Sequence, residues 1–177
     1  MERIGKYAPD FEIPGVNGEV HHLARYLETY RAVAVVFLGN DCPVSRAYLK
    51  RLKALHGELE PKGAAIIGIN SNSELVSPGD SFVAMKGFYR DRGLNFPYLW
   101  DSTQDVAQGF RAEVTPQVFA IDAESRIRYI GAIDNATSSS DEPTETYLRN
   151  ALMQILAGQE VAVPFTAAVG CAVKWRK

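Results

Sequence analysis

The residues of this chain best suited to covalent chemistry are its two cysteines, Cys42 and Cys171. Cys42 stands in the polar loop Gly39-Asn40-Asp41-Cys42-Pro43, directly after the apolar, β-branched run 33–38. Beyond it Tyr48, Leu52, Leu55 and Leu59 recur at steps of four, three and four, one face of a helix. A cysteine at such a strand-to-helix junction faces unpaired backbone N–H groups. Those donors and the helix dipole favour thiolate over thiol and lower the pKa below about 8.5. Arg46, one turn along, adds positive charge on the same side. The thiolate is the form that attacks disulfides and peroxides. The alternative is an inert core cysteine, but Cys42 follows three small or polar residues rather than sitting inside the apolar run.

Cys171 lies in a tail without clear periodicity. From Gly158 to Cys171 is thirteen residues, which extended span about 40 Å. A domain of this size has a radius of gyration of roughly 16 Å. Cys171 can therefore reach Cys42 within the chain or from a partner subunit. The competing reading is a small apolar residue packing Gly170-Cys171-Ala172-Val173 against the domain.

The 177 residues, 46% apolar and 23% charged, suit one globular domain with its own core. A net charge of −2 gives no electrostatic footprint for nucleic acid or an anionic membrane. No stretch approaches the ~20 apolar residues of a membrane span. Two distant cysteines and three histidines without ligand spacing suggest no metal site, and chemistry at sulfur, which carries both electrons itself, needs no cofactor. The basic cluster Arg46, Lys50, Arg51 and Lys53 reads as the wet face of an amphipathic helix. Met1 to Asp10 lack an apolar signal core, so the chain is expected in the cytoplasm if Met1 is native, and in the periplasm or outside if a signal peptide was removed.

Around the cysteines, residues 8–24 read as a strand, an Asn17-Gly18 turn and a return strand. Strand 33–38, a helix from Pro43 to the stop at Pro61 and Gly63, and strand 64–69 make a β-α-β unit. Helices follow near 82–89 and 103–110, the second capped by Ser102 or Thr103, with a short extended piece at 96–100 between them. Strands 117–121 and 126–130 flank the turn 122–125 as a hairpin. A last helix runs near 143–157. Asn70-Ser71-Asn72 and Asp134-Asn135 could line a site but read better as turns, and Trp100 and Trp175 read as packing residues. The domain is expected at 1–158 and the tail at 159–177.

This order, a βαβ half and then a ββα half with Thr115-Pro116 ahead of the third core strand, resembles the thioredoxin fold: α/β, with a central mixed sheet flanked by helices, an N-terminal hairpin and a C-terminal tail. Ala8-Pro9-Asp10-Phe11, the strand leading to Cys42-Pro43, Ile69-Asn70-Ser71-Asn72, Thr115-Pro116 and Asp122 resemble the alkyl hydroperoxide reductase / thiol-specific antioxidant superfamily. Asn40-Asp41-Cys42-Pro43 with Tyr48, and the tail Gly170-Cys171-Ala172-Val173-Lys174-Trp175, look more narrowly like a bacterial subfamily of redoxin-domain proteins. The resemblance implies that the Thr115–Pro116 bond is cis and faces Cys42, exposing backbone for a bound substrate chain. Two departures stand out. Ser45 occupies the place of the second cysteine in the thioredoxin Cys-x-x-Cys motif, so no disulfide forms within the motif. Val35 and Gly39 stand where peroxidatic relatives carry a proline and a peroxide-orienting threonine.

The expected function is thiol-dependent oxidoreduction by Cys42, with Thr115, Pro116 and Arg46 around it and Cys171 or an external thiol resolving the intermediate. The substrate is a protein thiol or disulfide, or a peroxide, with exchange preferred because the threonine is missing. The rival is a thioredoxin-fold binding module that lost turnover with its second motif cysteine.

Overall fold

A computed structural model describes residues 2–139 and 141–177. A small antiparallel hairpin comes first, β1 (Glu12–Pro14) against β2 (Val20–His22), with Asn17 Oδ1 accepting from Glu19 N in its turn. Helix α1 (Leu23–Thr29) follows at once. Nothing in the sequence announced it: it buries only Leu23 and has no side-chain cap.

The βαβ unit is β3 (Ala32–Phe37), α2 (Pro43–Leu59) and β4 (Ala64–Asn70). Its strands pair in parallel from Ala32↔Ala64 to Phe37↔Ile69. Then come α3 (Phe82–Arg92), β5 (Tyr98–Trp100), α4 (Asp105–Phe110) and β6 (Val114–Thr115). The hairpin β7 (Gln117–Asp122) and β8 (Ile127–Gly131), the helix α5 (Tyr147–Leu156) and a short β9 (Cys171–Ala172) complete the chain. The central sheet runs β5-β4-β3-β7-β8, with β3 antiparallel to β7. It is the mixed sheet expected of a thioredoxin fold.

Alternation along β3 divides the core. Ala32, Ala34 and Val36 face Leu52 and Leu59 of α2 and Leu148 and Leu152 of α5. Val33, Val35 and Phe37 face Leu23 of α1 and Phe110 of α4. Both faces of β3 are covered, which is why its sequence is continuously apolar.

Four local expectations are corrected. The N-cap residue of α4 is Gln104 rather than Ser102 or Thr103; Thr103 Oγ1 does accept from Asp105 N at 3.3 Å, and the buried Asp101 carboxylate accepts from Val106 N and Ala107 N at 3.2 and 2.9 Å. Helix α5 starts at Tyr147 rather than near Pro143, because Thr144 N and Glu145 N donate to the Asn135 side chain and hold that stretch outside the helix. Arg51 leaves the wet face of α2 to donate to both oxygens of the buried Asp134, and its guanidinium lies over the Tyr48 ring. Trp100 packs on Phe82 as expected, with ring centroids 4.9 Å apart, but Trp175 is 38% exposed.

His56, buried in the last turn of α2, gives the fold a pH dependence. Its Nδ1 accepts from Ile66 N at 3.1 Å, so the neutral ring carries its proton on Nε2. Burial pulls its pKa below the ordinary value of 6.5, and that of His21 moves the same way. With the folded pKa depressed, the unfolded chain takes up the proton first as pH falls, so stability present above about pH 6.5 is lost below it. Thermal melts between about pH 8 and pH 5 should show this loss, reduced in His56→Gln. An unchanged slope in the variant would remove His56 from the account.

Candidate active site

Cys42 is the N-cap residue of α2, with Pro43 opening the helix. Pro43 lacks an N–H exactly where the helix needs none in its first turn, so the junction the sequence suggests is the one that forms. The Cys42 sulfur accepts from Ser45 N at 3.4 Å and lies 3.3 Å from the Thr115 carbonyl oxygen. Ser45, in the place of a second motif cysteine, is fully buried and accepts from Gly39 N through its hydroxyl at 3.3 Å. Its role in the junction is to hold the loop before Cys42.

Across from the sulfur, the Thr115–Pro116 bond is cis. Its strand β6 pairs antiparallel with β9, in the register Thr115↔Cys171. Cys42 and Cys171 form a disulfide with Cα atoms 6.0 Å apart. Gly170 makes this approach possible: a Cβ there would collide with the Thr115 carbonyl.

The tail beyond Cys171 is held mainly by main-chain groups, with Arg176 Nη2 also donating to Ser102 O at 2.7 Å. Val173 N donates to Glu113 O at 3.0 Å. Lys174 N donates to Asn72 Oδ1 at 2.9 Å, while Lys174 O accepts from Ser73 N and from Gln104 Nε2 at 2.8 and 3.0 Å. Arg176 N donates to Gln104 Oε1 at 3.0 Å. The tail is thus a seated strand, although it has no helix to tie it down.

Behind both cysteines lies a polar network around Asp80, which is 1% exposed. Its carboxylate accepts from Asn40 N (2.6 Å), Asn70 Nδ2 (2.9 Å), Asn72 Nδ2 (3.2 Å) and Ser77 Oγ (2.7 Å). Tyr98 closes the ring by donating to Asn40 Oδ1 at 2.6 Å. Burial pushes the Tyr98 pKa up, so its hydroxyl stays protonated as a donor. One carboxylate therefore braces both the loop before Cys42, through Asn40, and the seat of the tail, through Asn72. Asp80→Ala orphans several of these donors at about 1–3 kcal/mol each. Denaturant melts should show a loss of at least about 3 kcal/mol. A loss within about 0.5 kcal/mol, usual for surface changes, would mean that the network carries no load.

The structure brings Cys42, Cys171, Thr115 and Pro116 together. Arg46, in the first turn of α2, commits its donors to the loop before Cys42, to Asn40 O at 2.6 Å and Asp41 Oδ1 at 3.3 Å. Asn70, Ser71 and Asn72 are buried structural partners and not simple turn residues. Asn72 takes the site-lining role its segment offered as the alternative to a turn. Asp80 and Gln104 carry no sequence signal for a place at the site. Their side chains act across long sequence separations, so local spacing carries no sign of them.

A model of the AhpC/TSA family matches residues 4–130. The chain belongs to the AhpC/TSA family. Its fold recurs in an uncharacterized conserved protein from Geobacillus kaustophilus, at 32% identity and a TM-score of 0.92, covering 99% of this chain and 94% of that one. A hypothetical protein from Sinorhizobium meliloti 1021 is similar at 31% identity and a TM-score of 0.91, covering 98% and 94%. The thiol-disulfide oxidoreductase ResA of Geobacillus kaustophilus (strain HTA426) is 24% identical over 127 residues, 72% of this chain and 68% of its own length. In this AhpC/TSA member the family match ends before the tail, so Cys171 lies outside the matched residues, while Asn72, Gln104 and Thr115, which seat it, lie within them.

Proposed function

We propose that the protein is a thiol–disulfide oxidoreductase that cycles between a Cys42/Cys171 dithiol and the Cys42–Cys171 disulfide. The observation that carries this reading is the bridge itself, between a helix-capping cysteine and a cysteine on a strand seated at Thr115. Reduction would begin with the Cys42 thiolate attacking a substrate disulfide. One substrate sulfur joins Cys42, and the other leaves with the electron pair and takes a proton. The Cys171 thiolate then attacks the Cys42 sulfur, forming the internal disulfide and releasing the second substrate thiol. Two electrons pass from protein to substrate, and an external thiol returns them. Sulfur carries both electrons, so the scheme calls on no cofactor.

Helix-terminal donors at Cys42 favour the thiolate this scheme needs. The name of the ResA relatives supports protein disulfides as substrates. Peroxide reduction is the lesser use. Gly39 offers no hydroxyl to a peroxide, and a Cβ at that position would lie 2.7 Å from Asn72 Nδ2. The tail supplies a second cysteine in place of the motif's own, which weighs against a module that has lost turnover. Arg46 is proposed to steady the loop before the nucleophile through Asn40.

The test is turnover of insulin disulfides under a dithiol reductant, run beside consumption of hydrogen peroxide. Disulfide reduction should clearly exceed the uncatalysed rate and outpace peroxide consumption. Uncatalysed rates in both assays would favour the binding module.

A further inference from the structure

The seated tail shows what the site accepts as an extended chain. Beyond Cys171 its hydrogen bonds to the domain run mainly through its own main chain, at Val173, Lys174 and Arg176, to Glu113, Asn72, Ser73 and Gln104, with one exposed side-chain bond from Arg176 Nη2 to Ser102 O at 2.7 Å. Main-chain contacts of this kind hold any extended peptide and carry no sequence preference. Side chains matter at two other places. Gly170 lies where a Cβ would collide with Thr115 O and approach Pro116 N. Val173 is 5% exposed, whereas Ala172 and Lys174 on either side of it are exposed.

We infer that this seat is a peptide groove, and that its substrate is an extended protein segment with glycine immediately before the reacting cysteine and an apolar residue two positions after it. The inference rests on the oxidoreductase reading and names its substrate class. The tail is then an internal copy of the substrate. It competes for the groove as a tethered segment, at an effective concentration of the order of millimolar, and a substrate enters when the tail leaves. Asn72 and Gln104 serve as positioning residues that hold the incoming main chain with its sulfur beside Cys42.

The test uses the full chain carrying Gly170→Val and Cys171→Ser. The first change drives the tail from the groove by the collision at Thr115, and the second leaves Cys42 as the only thiol. Peptides copying residues 166–177, with the cysteine as a pyridyl disulfide, are the probes. The Cys42 thiolate attacks the peptide sulfur, the peptide–pyridyl S–S bond breaks, and thiopyridone leaves with the electron pair, read by its absorbance. The unaltered peptide should react about tenfold faster or more than peptides carrying Gly170→Val or Val173→Asp. Adding Gln104→Ala to the protein should slow the unaltered peptide by a larger factor than it slows a small pyridyl disulfide. Equal rates for the three peptides, with normal reaction of the small disulfide, would overturn the groove and leave the oxidoreductase reading standing. A Cys42 inert to the small disulfide, in a variant folded by circular dichroism, would overturn both.

Discussion

Cys42→Ser lowers disulfide-reduction turnover by about a thousandfold or more, the scale of losing a nucleophile, whereas Cys171→Ser keeps the first step and loses the second. A serine hydroxyl at position 42 would receive the same Ser45 N–H donor and the same helix terminus. It does not ionise near neutral pH, and oxygen cannot form the disulfide on which exchange depends. Serine at position 171 leaves Cys42 with its environment but without the sulfur that attacks it from the tail. That variant should therefore accumulate a stoichiometric mixed disulfide with substrate, visible as added mass, and turn over only as fast as an external thiol can reach Cys42. Full turnover in Cys171→Ser with no trapped adduct would assign resolution to the external thiol. Full turnover in Cys42→Ser would remove the nucleophile from the scheme.

Reducing the bridge lowers stability by up to about 5 kcal/mol, because it closes a sequence separation of 129 residues. For a domain of this size, that corresponds to roughly 10–20 °C in melting temperature. The stabilisation acts by restricting the unfolded chain, so it disappears on reduction even if the tail stays seated through Asn72 and Gln104. By linkage, the fold stabilises the disulfide as much as the disulfide stabilises the fold. The reduced pair is accordingly a willing electron donor, in keeping with substrate reduction. Calorimetry of the oxidised protein and of the protein held under reductant reads the difference directly. Melting temperatures within about 2 °C of each other would mean that the bridge does not constrain the unfolded chain.

The elements around the nucleophile were legible because each carries a local signal. The apolar run of β3, the cysteine-proline junction and the stepped leucines of α2 all point to one strand–loop–helix geometry. The 117–121 and 126–130 hairpin was equally plain from two apolar-rich runs flanking the turn 122–125. Helix α1 was missed because seven residues with one buried position leave no periodicity to read. The start of α5 was placed too early because Asn135, acting nine residues ahead, holds Thr144 outside the helix. The site divided in the same way. Cys42 and Thr115-Pro116 stand at element boundaries that the sequence marks. Asp80, Asn72 and Gln104 take their roles from partners brought in by the fold, so asparagines that look like turn formers become the frame of the site. Sequence showed that the tail could reach Cys42. It could not show that Gly170 lets the tail pair against Thr115.

The most direct test is peptide-mapping mass spectrometry of the reduced protein after equilibration in glutathione buffers of increasing oxidation, with free thiols trapped by alkylation. The account predicts one two-electron transition, in which the peptides containing Cys42 and Cys171 become joined to each other within a monomer. Cysteines that acquire glutathione separately, or that link two chains, with no internal bridge at any buffer composition, would contradict it.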